Sequence, residues 1–141
     1  MPFTPVRSEL VYDTPTPMSQ AALSQGAYHL HISGQVAQDR NGALVGEGDV
    51  EAQALHALDG IRALTEKAGG TLADVVRITV YVTAREHFAT VMEVRRRVFS
   101  TPYPATTAVM VAGLGKPEWL VEIEATAVIT AAAGAGSDGT A

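Results

Sequence analysis

Alternation of apolar and polar side chains marks the strands of this chain. Over Val75–Val82 (VVRITVYV), Val76, Ile78, Val80 and Val82 share one face, and Arg77, Thr79 and Tyr81 the other. That period of two is the signature of a half-buried strand. In Tyr28–Val36 (YHLHISGQV) the same alternation sets Leu30, Ile32 and Gly34 against His29, His31, Ser33 and Gln35. Leu120–Ile129 (LVEIEATAVI) places Val121, Ile123, Ala125, Ala127 and Ile129 opposite Glu122, Glu124, Thr126 and Val128. Pro102–Val111 (PYPATTAVMV) reads as a strand launched by two prolines and opening on Thr106 and Thr107. If these last two strands pair, hydroxyls and a carboxylate meet at one end of a sheet. Earlier in the chain, prolines limit Phe3–Leu10 to a short edge strand, and Ala21–Ser24 fits a second one.

Two segments switch to the helical period. Asp49 is a plausible N-cap for a helix running to about Ala68, with Leu55, Leu58, Ile61, Leu64 and Ala68 as its apolar stripe. Gly69-Gly70 then ends it in a left-handed turn. Thr83 and Glu86 have the spacing of a capping box and open a second helix to about Phe99. Its apolar positions are Phe88, Val91, Met92, Val98 and Phe99. Arg95, Arg96 and Arg97 sit near its C-terminal end, where cations complement the helix dipole. They fan around the axis and are expected to be solvated or ion-paired.

The element order is therefore β-β-β-α-β-α-β-β, which predicts one α+β domain over residues 1–130 with its helices on one sheet face. The other face is semi-polar but includes Tyr81, Val128 and Met110, and is expected to be covered by other subunits. Residues 131–141 are only Ala, Gly, Ser, Asp and Thr, with nothing to bury, so disorder is expected there.

Composition narrows the chemistry. The chain has 141 residues, 47% of them apolar and 18% charged, as in a single globular domain. A net charge of −5 argues against a nucleic-acid partner. The absence of cysteine removes disulfides, thiolate zinc sites and a Cys nucleophile, and fits a reducing compartment. No signal-like apolar core opens the chain, and no run approaches the ~18 apolar residues of a membrane span. A cytoplasmic protein without a membrane partner is expected. No Gly-rich phosphate loop or Gly-x-Ser-x-Gly motif occurs. His29 and His31 share a strand face, the way some metal sites begin, with Glu124 the conceivable third ligand. Two ligands do not make a site, so polar packing is the simpler reading and no metal is expected. His56 and His87 fall on helices as surface or satisfied histidines.

Seven segments in order, PMSQAA, SGQVA, DVEAQALHAL, DVVRITVYVT, FATVMEVRRRVF, PYPATTAVMVAGL and VEIEATAV, make the chain similar to the RidA/YjgF family (Rid superfamily) over about residues 16–129. The resemblance implies a sheet like that of bacillus-type chorismate mutase, with two helices packed on one face. It also implies a homotrimer with clefts between subunits. Family enzymes hydrolyse reactive enamines and imines such as 2-aminoacrylate to 2-keto acids and ammonia, without metal or organic cofactor. In them an Arg holds the substrate carboxylate, and a Glu with backbone groups positions water.

Residue by residue, the family's serine and glutamine fall on Ser33 and Gln35, and its glutamate on Glu122. Its cleft Arg falls on Thr106, and one of Arg95, Arg96 and Arg97 could reach into the cleft in its stead, though nothing in their spacing demands it; its Tyr falls on Met18 and a cleft Asn on Met92. An Arg grips a carboxylate through paired charge-assisted hydrogen bonds, each worth about 1.5–3 kcal/mol. With Thr106 in that place, 2-aminoacrylate is expected to be a poor substrate and the ligand neutral or aromatic. Glu122 is the catalytic candidate: a carboxylate ending an apolar strand is partly desolvated, which suits it to proton transfer. Glu124 reads as a structural or rim charge. Ser33, Gln35, Thr106, Thr107 and the proton-carrying candidate His31 are the polar binding residues. Met18, Phe88, Met92, Tyr103, Ala105 and Trp119 are the apolar ones, Trp119 doubling as a possible loop anchor. The expected activity is deaminase-like hydrolysis, tautomerisation or cyclisation of an imine, enamine or enol-type metabolite. The alternative is a non-catalytic metabolite-binding or partner-stabilising trimer. RNA cleavage, a label some family members carry, is disfavoured by the charge.

Overall fold

The computed structural model describes residues 3–9, 15, 17–26 and 28–130. The 131–141 tail and the Leu10 end of the first expected strand lie outside them. Strands β1 (Phe3–Val6) and β2 (Ala21–Ser24) form an antiparallel pair. Strands β3 (Tyr28–Gln35), β4 (Val75–Val82), β5 (Ala105–Met110) and β6 (Val121–Ile129) form a mixed sheet in the order β3-β6-β4-β5. Only β4 and β5 run parallel, joined by helix α2 (His87–Val98); helix α1 (Val50–Lys67) connects β3 to β4. The expected α+β order is the observed one, with an added 3₁₀ turn at Leu72–Asp74. One expectation changes: β4 lies between β5 and β6, so the strand of Thr106 does not pair with that of Glu122.

Both helices pack on the face carrying Ile78, Val80, Val82, Val121, Ile123 and Ala125. The stripe α1 buries is smaller than its leucine pattern suggests. Ala54, Ala57, Leu58, Ile61 and Thr65 are buried, whereas Leu55 and Leu64 stand 38% and 45% exposed. Small side chains let the helix approach the sheet closely, and the Thr65 hydroxyl donates back to the Ile61 carbonyl at 2.7 Å. The helix ends as expected, with Gly69 at φ +99° and the Gly70 amide donating to the Thr65 carbonyl. The Thr83/Glu86 box does not form. Thr83 is held instead by Leu120, whose carbonyl accepts its amide at 3.1 Å and its hydroxyl at 3.5 Å, and Glu86 caps α2 without a side-chain bond. A capping box does form at Thr71 and Asp74.

Two irregularities redirect side chains that strict alternation assigns to the opposite face. Pairing of β3 with β6 shifts between Ile32 and Gln35. Gln35 therefore lies opposite Ile123 and turns its amide to Gly60 of α1, not to the open face. Pairing of β4 with β6 shifts between Val75 and Arg77. Val75 joins the helix-side core, and Val76 packs on the other side with Phe3, Ala22 and Val128. The β1-β2 pair thus covers part of the face that other subunits were expected to cover alone.

Gln53 links these layers. It is fully buried; its amide nitrogen donates to the carbonyls of Gly46 and Glu118, both at 3.0 Å, and its oxygen accepts from the Leu120 amide at 2.8 Å. Replacement removes three hydrogen bonds to part-buried backbone groups and leaves a void where the buried side chain stood. Gln53→Ala is expected to lower stability by about 2–3 kcal/mol, read as an earlier urea midpoint at fixed protomer concentration.

Candidate functional site

A pocket of about 400 Å³ opens between α2 and the edge strand β5. The segment before β2 supplies one wall. Ser19 bridges Ala105, its amide donates to the Pro104 carbonyl at 3.5 Å, and its hydroxyl donates to the Tyr103 carbonyl at 2.5 Å. That docking brings Met18 to the pocket, where Phe88 and Met92 of α2 and Thr106 of β5 meet it. Thr106 lies opposite Ile78 and so points toward the helix layer. Its hydroxyl donates to the Pro104 carbonyl at 3.1 Å, which occupies its only proton. Tyr103 lines an adjoining groove with Met18 and Pro102.

The remaining polar group of this pocket is Arg95, which was expected to lie solvated or ion-paired at the helix end. It is only 5% exposed, and its Nε and Nη1 are buried without a hydrogen-bond partner. Helix periodicity explains the difference. Arg95 follows Phe88 by seven residues, Val91 by four and Met92 by three, so it continues the inward stripe. Burial pulls the guanidinium pKa below its ordinary value. Its neighbours diverge: Arg96 pairs with Glu93 and Arg97 with Glu51 of α1, each at 3.2 Å. The three arginines therefore share no basic surface.

Glu122 occupies the opposite sheet face. It lies across from Tyr81, and Glu124 from Thr79. The Tyr81 hydroxyl donates to Glu124 Oε1 at 2.5 Å. This bond, then desolvation and the two carboxylate charges, raises the Tyr81 pKa above the ordinary phenol value. Glu122 is half-buried, and its carboxylate lies over Gly34, where any Cβ would collide with it. Among the described residues no cation or hydrogen-bond donor engages Glu122. A shallow depression joins Tyr81, Glu122 and Glu124 to the Gly113–Gly115 loop.

The other expected site residues are dispersed. Ser33 is exposed beside the β3 irregularity, and its carbonyl accepts from Gln35 Nε2 at 3.0 Å. Ala105 is half-buried at the start of β5, and Thr107 is exposed and lies opposite Thr79. Trp119 packs in its own loop, against Gly115 and under Lys116 Nζ at 5.4 Å. His31 stacks on His29 with ring centres 6.5 Å apart, and Glu124, the conceivable third ligand, is engaged by Tyr81. Among the described residues no three His, Asp or Glu side chains gather as a metal site, and no helix is long and apolar enough to cross a membrane. The structure thus unites Met18, Phe88, Met92 and Thr106, adds Arg95, and keeps Glu122 apart with Tyr81 and Glu124.

Comparison with known proteins agrees with the fold. A family model described as Endoribonuclease L-PSP matches residues 13–129. A RutC family protein of Pyrococcus horikoshii is 39% identical over 111 residues, which is 79% of this chain and 86% of that protein. The crystal structure of a Rid family protein of unknown function, YyfB from Yersinia pestis, superposes with a TM-score of 0.84 at 34% identity, covering 92% of this chain and all of that one. RidA from an Antarctic Psychrobacter gives a TM-score of 0.68 at 35% identity, covering 89% and 99%. A matched family model, a shared order of elements and relatives above 30% identity across most of both chains place this protein in the RidA/YjgF (Rid) family.

Proposed function

We propose that this protein is a homotrimeric acid/base catalyst that hydrolyses or tautomerises a small reactive imine, enamine or enol-type metabolite in a cleft between subunits. The observation that supports it is the state of Glu122, a half-buried carboxylate over Gly34 that no cation or hydrogen-bond donor engages among the described residues. A structural carboxylate has a partner, as Glu124 has in Tyr81. An unengaged one is open to accept and return protons.

Homotrimers are general in the family, and the geometry gives one a purpose. Thr106 faces the helix layer and Glu122 the opposite face of the same sheet. A cleft that uses both sets the Met18–Thr106 pocket of one protomer against the Glu122 face of the next. Within it an enamine takes a proton at carbon and becomes the iminium ion. Glu122 takes a proton from water as its oxygen bonds to the iminium carbon, then returns that proton to nitrogen. The C–N bond breaks as the new hydroxyl gives its proton to solvent, ammonia leaves, and the carbonyl product remains. The pocket of about 400 Å³ is in the range of sites for larger ligands, so a substrate with an extended apolar side chain fills it better than 2-aminoacrylate. RNA cleavage gains nothing from three arginines with separate surroundings and a net charge of −5.

Two variants test the assignment by ammonia release from an imine generated in situ by oxidation of leucine. Glu122→Gln is expected to lower turnover by at least about 10²-fold with the oligomer intact, and Glu124→Gln to have a much smaller effect. Unaltered turnover in Glu122→Gln removes the catalytic assignment. Gly34→Ala pushes a methyl group into the space of the Glu122 carboxylate. It is expected to lower kcat by about tenfold or more without loss of assembly; wild-type kcat contradicts a role for that space.

A further inference from the structure

We propose that Arg95 is the anion anchor of the α2–β5 pocket, and that the ligand is therefore an organic anion with an apolar body, a carboxylate in particular. This rests on reading the pocket as half of the reactive cleft, and it replaces the neutral ligand expected from Thr106 alone.

Four observations converge. Arg95 is 95% removed from solvent, and two of its nitrogens are buried with no partner. Arginine keeps its proton in proteins, and among the described residues no carboxylate pairs with Arg95. Burying such a charge is expensive unless an anion meets it. The guanidinium borders a pocket large enough for a metabolite. The other walls supply no competing anion: Met18, Phe88, Met92 and Val91 are apolar, and the Thr106 hydroxyl is turned to the Pro104 carbonyl. Its two neighbours in sequence are neutralised by Glu93 and Glu51, whereas Arg95 is not.

The planar fork of a guanidinium matches a carboxylate through two parallel hydrogen bonds. Gripped from α2, the carboxylate leaves the ligand's side chain among the methionines and Phe88. Selectivity then follows from both ends: charge at Arg95, and length and shape at the adaptable Met18 and Met92 walls.

The test is equilibrium binding of 4-methyl-2-oxopentanoate and of its neutral counterpart 4-methylpentan-2-one to the full-length assembled protein, followed by calorimetry. The keto acid is expected to bind at least about tenfold more tightly than the ketone. Arg95→Met is expected to erase that preference while leaving ketone affinity unchanged, and Glu122→Gln to keep it. If Arg95→Met does not assemble, Arg95→Lys, which keeps the charge and loses the fork, is expected to weaken keto-acid binding alone. Equal affinity of the wild type for the two probes overturns the proposal. So does an Arg95 variant that disturbs assembly but not the preference, as expected if a carboxylate of a neighbouring copy pairs with Arg95. An Arg95-dependent preference beside turnover that is indifferent to Glu122 supports the anchor and removes the catalytic reading instead. Turnover lost in Glu122→Gln with no Arg95-dependent preference does the reverse.

Discussion

Burial of β4 on both faces is the constraint from which the rest of the molecule follows. Along Val75–Val82 only Arg77 is exposed and Tyr81 half-buried. One face receives α1 and α2, and the other receives Phe3 and Ala22 from the amino-terminal strand pair. With β4 central, β5 is left at the edge and β6 on its far side. Thr106 then points to the helices and Glu122 away from them. The pocket beside Thr106 and the Glu122 carboxylate are thus separated by the thickness of one sheet, and under the proposed function a second copy brings the two together.

The two sides differ in physical character. The Glu122 side is open and polar, with a Tyr81 phenol committed to Glu124 and a glycine that leaves room for the free carboxylate. The α2–β5 side is apolar and contains Arg95, two of whose nitrogens have no partner among the described residues. Folded proteins are stable by a narrow margin, and an unpaired buried guanidinium draws on that margin. Under the proposal that Arg95 anchors an anion, the ligand supplies the missing charge.

Much of this was legible in the residues, and the failures have physical causes. Alternation located β3, β4 and β6, because the helix-facing positions of each are apolar while polar side chains interrupt the opposite face. It misassigned Gln35 and Val76, because nothing in YHLHISGQV or VVRITVYV marks where an extra residue enters the ladder. The leucines of α1 suggested a stripe centred on Leu55 and Leu64, but close packing on a sheet selected Ala54, Ala57 and Thr65. The proton-transfer candidate was readable from a carboxylate in an apolar strand. The pocket's cation was raised only as one of three candidates, since Arg95 sits in a run of three arginines at a helix end, where dipole and solvent already account for positive charge. The signal was present in its spacing from Phe88, Val91 and Met92, which outweighs residue type in deciding what a helix buries. Tyr81 and Gly34 carry no sequence mark of their roles, because these depend on register with β6.

The proposed composite cleft is tested most directly by mixing two impaired variants. Protomers carrying Glu122→Gln and protomers carrying Arg95→Met are combined, dissociated and reassembled, and turnover of the leucine-derived imine is measured. If each cleft takes Arg95 from one protomer and Glu122 from its neighbour, equal mixing restores roughly a quarter of wild-type clefts, and activity returns to about that level. Activity that stays at the level of the separate variants contradicts a site shared between subunits.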